Sequence, residues 1–148
     1  MTSPSPGTEQ AWTRLQRAQH HTLTEVERAL KAAGFPALVW YDVLLELDRA
    51  GGDGLRPFEL EGLLLLPQYG VSRLLERMEG QGLLRRVPHR DDRRGRQLQI
   101  TGQGRQLRKR MWPVYAAAIE KNVGRHLCDG EAETLARLLE KLLPPRQR

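Results

Sequence analysis

A single cysteine, Cys128, excludes an intramolecular disulfide and any zinc site built from several thiolates, and it fits a reducing cytoplasm. The histidines, His20, His21, His89 and His126, are dispersed, so no set of three metal ligands gathers along the chain. Aromatic residues are scarce, at 5%. With abundant leucine at helical spacings, that scarcity favours a mainly α protein with few strands. No run approaches the roughly 18 to 20 apolar residues of a membrane span, and residues 1–7 lack an apolar signal core. The expectation is a soluble chain not exported by a recognisable signal. No nucleotide-binding glycine loop, metal motif or nucleophile-base arrangement is visible, and Gly102-x-Gly104 is too short a signal to imply phosphate binding. The chain reads as a protein with no catalytic residues and no cofactor.

The charge that is present is unevenly placed. The 148 residues carry a net +6, yet Leu83 to Arg110 hold ten Arg or Lys and two acids, a net +8 that leaves the remaining 120 residues at −2. Basicity concentrated in one segment implies a surface that faces a polyanion, because an evenly cationic protein gains solubility but no docking face. Nucleic acid is the first candidate. Anionic lipid fits less well, since membrane-surface helices set their basic residues opposite a broad apolar face. Here Leu84-Arg85-Arg86-Val87-Pro88 and Arg96-Gln97-Leu98-Gln99-Ile100 flank His89-Arg90-Asp91-Asp92-Arg93-Arg94-Gly95, a pattern that predicts a β-hairpin with a charged tip.

At 39% hydrophobic, the chain suits one compact domain or one domain plus a dimerisation extension. Residues 1–10 read as a disordered head and 144–148 as a tail. Trp12, Leu15, Leu23, Val26, Leu30 and Ala33 give residues 11–34 the periodicity of a long amphipathic helix ended by Gly34. Pro36 can open a second helix carrying Leu38, Tyr41, Val43, Leu44 and Leu47, broken by Gly51-Gly52. After Arg56-Pro57 a short helix follows, with Phe58, Leu60, Leu63 and Leu64 expected to pack inward. Pro67 is expected to start the next helix, running to about Gly80 with Val71, Leu74, Leu75 and Met78 on one face. Two short helices and then a hairpin make residues 36–101 a winged helix-turn-helix pattern. Thr101 is the expected N-cap of a long helix containing Pro113, and Asp129 that of a last helix carrying Leu135, Leu138, Leu139 and Leu142. The leucine-rich surface of residues 11–34 and 102–143 exceeds what a small winged helix covers, so these helices are predicted to dimerise.

The element order, the run Val71-Ser72-Arg73-Leu74-Leu75-Glu76-Arg77-Met78-Glu79 before Gly82-Leu83-Leu84, and above all Asp92-Arg93-Arg94-Gly95 ahead of Leu98-Gln99-Ile100-Thr101, resemble the MarR family of bacterial transcription regulators. The resemblance covers about Tyr41 to Gly104 by motif and the terminal helices by architecture. It implies a cytoplasmic homodimer, a ligand-responsive repressor, whose two winged domains address successive major grooves of double-stranded operator DNA. Residues 67–80 then form the recognition helix, with Gln68, Tyr69, Ser72 and Arg73 nearest the bases or flanking phosphates. Arg77 is read as a salt-bridging or phosphate-contacting residue. Arg94 matches the family position that enters the minor groove, Asp92 braces a nearby guanidinium, and Arg90, Arg93 and Arg96 contact phosphate. The chain departs from the usual pattern at Leu66-Pro67-Gln68-Tyr69-Gly70, where small polar residues are common, so base preference is not carried over.

Three other readings bear on the same residues. An RNA-associated basic module would use the hairpin as a phosphate clamp, but apart from His89 no base-stacking ring lies in Leu83 to Arg110. Trp12, Trp40, Tyr41 and Trp112 read as packing or dimer-seam residues rather than the lining of a pocket for a small aromatic or anionic effector. Cys128 reads as a buried structural thiol rather than an oxidant sensor.

Overall fold

The computed structural model describes residues 2–88 and 96–145. Six α-helices and one β-hairpin follow one another: α1 (Pro6–Ala32), α2 (Leu38–Ala50), α3 (Pro57–Leu63), α4 (Val71–Gly80), β1 (Leu84–Pro88), β2 (Arg96–Ile100), α5 (Gly102–Asn122) and α6 (Glu131–Glu140), with short 3-10 turns at Gly51–Asp53 and Gly124–His126. The architecture is mainly α with a small hairpin, as the leucine periodicity and the scarcity of aromatic residues predict. None of the described helices is long and apolar enough to cross a membrane.

The chain divides into two compact units. One runs Ala29–Tyr115 and the other combines the described residues up to Arg28 with those from Ala116 onward. The core of the first is built from Trp40, Val43, Leu44 and Leu47 of α2, Leu60 of α3, Val71, Leu75 and Met78 of α4, Leu83, and Leu84, Leu98 and Ile100 of the hairpin. Each fully buried leucine contributes about 2 kcal/mol of transfer free energy, so three helices and a hairpin share one stabilising centre. The hairpin is antiparallel and pairs Leu84 with Ile100, Arg86 with Leu98 and Pro88 with Arg96. Period-two alternation sends Leu84, Leu98 and Ile100 into the core and leaves Arg85 outside. A single-residue bridge adds a third edge, Leu55 exchanging both backbone hydrogen bonds with Leu98 at 3.0 and 2.7 Å.

The second unit is different in character. Val26 and Ala118 are buried, but Trp12, Ile119, Leu135, Leu138, Leu142 and Leu143 are exposed, and α6 buries no residue at all.

Several boundaries differ from those read in the sequence. The first helix opens at Pro6 instead of Ala11, because Ser5 caps it, its Oγ accepting the Thr8 N–H at 3.1 Å, and Pro6 sits at the first helical position, where its missing donor costs nothing. Pro36 precedes α2 without opening it, and the helix begins at Leu38. Phe58 and Leu63 do not pack inward but are 67% and 48% exposed, since a helix this short can turn only Leu60 fully into the core. Pro67 does not start the next helix. Gly70 adopts φ 71°, the left-handed region, which breaks any helical run from Pro67, and α4 begins at Val71. Asp129 does not cap α6, whose N-cap is Gly130, also left-handed at φ 86° with no side-chain bond. Thr101 caps α5 as expected, its hydroxyl donating to Gly82 O at 2.6 Å and accepting the Gly104 N–H at 3.1 Å. Pro113 lies within α5 without ending it.

Candidate nucleic-acid interface

Helix α4 has two unlike sides. Val71, Leu75 and Met78 are buried, and because successive helical residues turn by about 100°, Ser72, Arg73, Glu76 and Arg77 fall on the opposite, exposed side. Four polar side chains are therefore presented outward by a helix that the core grips from behind. Before it, residues 64–70 make an irregular turn, with Gln68 half-buried and Tyr69 fully exposed. The turn is held from α2. The buried Asp42 accepts a short hydrogen bond from the Leu65 N–H, and burial pushes its carboxyl above the usual carboxylate range, against the opposing effects of that bond and of Arg49.

The hairpin is fastened to this helix and to the turn after α2. Glu79 on α4 pairs with Arg86 on β1 at 3.3 Å. On the other side of the hairpin Arg85 donates from Nε to Gln99 Oε1 at 3.2 Å, and Gln99 Nε2 donates to Gly52 O at 2.7 Å. A side chain and a backbone carbonyl 47 residues apart are thus tied at the root of the wing. The tip expected to carry Arg90, Asp92, Arg93 and Arg94 lies outside the described residues. Arg96 is within the ladder opposite Pro88.

Of the remaining basic residues, Arg105 and Arg108 are turned to a different use. Asp48 on α2 takes hydrogen bonds from Arg108 at 2.6 Å and Arg105 at 3.1 Å. The Arg108 hydrogen bond foremost, and then that of Arg105, hold the Asp48 carboxyl below its ordinary range in spite of some desolvation. Arg77 sits with its guanidinium 5.8 Å from the centroid of the Trp40 ring.

Structure and sequence reading agree on Ser72, Arg73 and Arg77 as exposed residues of one helix. They part on Gln68 and Tyr69, which belong to the preceding turn. Glu79, Arg86, Gln99, Asp42 and Asp48 were missed as partners that position the interface, and only Arg105 and Arg108, three apart on one helix face, carried a local signal of joint action. Among the aromatic residues, Trp40 and Tyr41 are buried, as packing residues would be. Tyr41 stacks on Trp112 at 6.1 Å and meets Tyr115 edge-on at 5.1 Å, and burial raises the Tyr115 hydroxyl above its usual pKa, with the nearby Asp42 and Tyr41 adding to the effect. Cys128 is not buried. It is exposed, because it sits in the turn before α6, where Glu131 Oε1 accepts from its backbone N–H at 2.8 Å and from its thiol at 2.7 Å. The carboxylate acceptor foremost pushes the thiol up, which disfavours the reactive thiolate.

Comparison with known proteins places this arrangement. The model of the MarR family matches residues 33–95, the stretch from before α2 to just before β2. The multiple antibiotic resistance protein MarR of Escherichia coli strain K12 is 27% identical over 90 residues, 61% of this chain, and the match spans 62% of that relative's length. Sco3205 of Streptomyces coelicolor, a MarR family transcriptional regulator solved in complex with DNA, superposes with a TM-score of 0.84 at 20% identity, covering 96% of this chain and 89% of its own. AbsC, a MarR family transcriptional regulator of the same organism, gives 0.82 at 21% identity over 96% of this chain and 95% of its own. With the core, the hairpin register and the outward α4 face in place, and the family model lying on the unit that contains them, this chain is similar to MarR family proteins in sequence over that unit and shares their fold.

Proposed function

We propose that this chain is a dimeric, sequence-specific DNA-binding transcriptional regulator of the cytoplasm, acting as a repressor that a small aromatic or anionic compound releases. The observation that carries the reading is the exposed Ser72, Arg73 and Arg77 face of α4, braced beside a basic hairpin through Glu79 and Arg86 in a fold that Sco3205 shares. A helix of this kind fits the major groove, where arginine pairs with guanine and glutamine with adenine. In this reading Gln68, Tyr69, Ser72 and Arg73 face bases or their flanking phosphates. Arg94 enters the minor groove with Asp92 as its brace, and Arg90, Arg93 and Arg96 contact the backbone.

The apolar face that α6 leaves exposed supports a homodimer, because leucines in that number are costly to leave in water. Two recognition helices joined through one dimer must match half-sites about one helical turn apart together. A ligand that binds better to a dimer with another spacing then weakens DNA binding by its difference in affinity for the two forms. The reading requires no catalytic step.

A gel shift with the DNA upstream of the coding region, at two salt concentrations, tests it with wild type and Arg94→Ala. The expected result is a sequence-selective, salt-sensitive complex that the substitution weakens. Binding with no preference among duplexes, or equal competition by structured RNA, would overturn the assignment.

A further inference from the structure

Trp40 and Arg77 form a contact that neither packing nor charge alone accounts for. Trp40 is 7% exposed and belongs to the core, whereas Arg77 is an exposed residue of α4, and its guanidinium lies over the indole at 5.8 Å. Arg77 has no ion-pair partner among the described residues. Its neighbour on the same face, Glu76, does not hold it, and Glu79 is engaged with Arg86. An arginine without a carboxylate ordinarily samples many rotamers, and that conformational entropy is lost when the side chain is fixed. A guanidinium held over an aromatic ring is different. It satisfies the cation with its face while its edge N–H groups stay available.

We propose that Trp40 is a positioning residue for DNA binding. It holds the Arg77 guanidinium over its ring so that the outward N–H groups meet a backbone phosphate beside the major groove. The inference rests on the regulator reading above, and it adds a residue of α2 that touches no DNA to the machinery of affinity. Arg73 lies nearest the centre of the outward face and serves base choice, with Ser72 at one flank. Arg77, at the other flank, serves the backbone and carries no base preference. Lysine would replace it poorly, since its ammonium lacks the planar fork of donors that can lie over the ring and still reach a phosphate.

The test uses the full chain and a duplex selected by it from a random-sequence library, with affinity measured as a function of salt. Trp40→Leu is expected to weaken binding about five- to tenfold, in keeping with a partly desolvated cation–π contact. Its slope of log affinity against log salt should fall by about 0.9, one phosphate contact, with the order of preferred sequences unchanged. Trp40→Phe should bind within about twofold of wild type because a ring is kept. In an Arg77→Ala background, Trp40→Leu should have no further effect. If Trp40→Leu weakens binding equally with and without Arg77, its role is structural and the proposal fails. Arg77→Lys leaves the core untouched and decides the matter even where Trp40→Leu does not fold. An affinity that falls most of the way to that of Arg77→Ala supports the proposal, and an affinity equal to wild type overturns it. Failure of the wild-type chain to select any duplex would instead remove the regulator reading itself.

Discussion

Gly102 and Gly104 open the same helix, yet replacing each with alanine should move stability in opposite directions. At Gly104 an added Cβ would stand 2.2 Å from the Leu83 carbonyl oxygen, 2.9 Å from Ile100 Cγ1 and 3.1 Å from Leu44 Cδ2. A carbon rests comfortably against a carbonyl oxygen at about 3.3 Å or more, so α5 and the start of β1 must part by about 1 Å. That movement stretches the Thr101 N–H bond to Leu83 O, now 3.2 Å, and opens the core beside the fully buried Leu44 and Leu84. Overpacking against backbone belongs at the upper end of its usual range, about 3 kcal/mol, and the better helix propensity of alanine returns about 1 kcal/mol. The net expectation for Gly104→Ala is a loss of about 2 kcal/mol, or roughly 4 to 8 °C in Tm for a chain of this size. Gly102 meets nothing within 4 Å. There alanine should gain about 0.5 to 1 kcal/mol by restricting the unfolded chain. Urea unfolding at one fixed protein concentration measures both, since association would otherwise enter the comparison. A Gly104→Ala protein as stable as wild type would show that Leu83 and α5 are not in the close approach on which the reasoning depends.

Thr101→Val removes both hydroxyl bonds at the entrance to α5 and should cost about 1 to 2 kcal/mol in urea unfolding, with Thr101→Ser recovering most of it. Asp42→Asn should be at least as stable as wild type at neutral pH. Asp42 has a raised folded pKa, so the folded state binds its proton more readily than the unfolded one. Its ionisation therefore costs stability as pH rises through the folded pKa, and the advantage of Asn should shrink as pH falls through it. Asp48 is the opposite case. Its depressed pKa supplies stability above the ordinary aspartate value of about 4 that is lost as pH falls through the folded pKa, and Asp48→Asn should flatten that acid limb of a Tm-against-pH profile. On the homodimer proposed above, Leu138→Glu places a charge in the exposed apolar face of α6 and should halve the molecular mass seen by light scattering, whereas an unchanged mass would count against a dimer seam at α6.

The parts of the fold legible in the sequence are those with local causes. Alternation over Leu84-Arg85-Arg86 and Leu98-Gln99-Ile100 carried the hairpin, and the three-and-four spacing of Val71, Leu74, Leu75 and Met78 carried α4. Thr101 announced a cap because a hydroxyl before a helix has one obvious use. Pro67 misled for the same kind of reason. A proline at a helix start is a sound local rule, but Gly70 three residues later takes a backbone conformation that overrules it. Phe58 and Leu63 were misplaced because apolar type says nothing about which way a two-turn helix faces. The site followed the same division. The exposure of Ser72, Arg73 and Arg77 on one helix could be read from periodicity, while Asp42 with Leu65, Asp48 with Arg105 and Arg108, and Glu79 with Arg86 depend on segments that meet only after folding.

The clamp at Asp48 bears on how the basic segment should be counted. Arg105 and Arg108 contribute to the formal +8, yet each already faces a carboxylate fixed on another helix, and Arg86 faces Glu79. When DNA meets an arginine surrounded only by mobile ions, those ions disperse, and their gain in entropy drives association. An arginine whose counter-ion is a tethered aspartate has nothing to release. The salt sensitivity of any complex should therefore report fewer contacts than the tally of cations, and the deficit measures how much of the protein's charge is spent on itself.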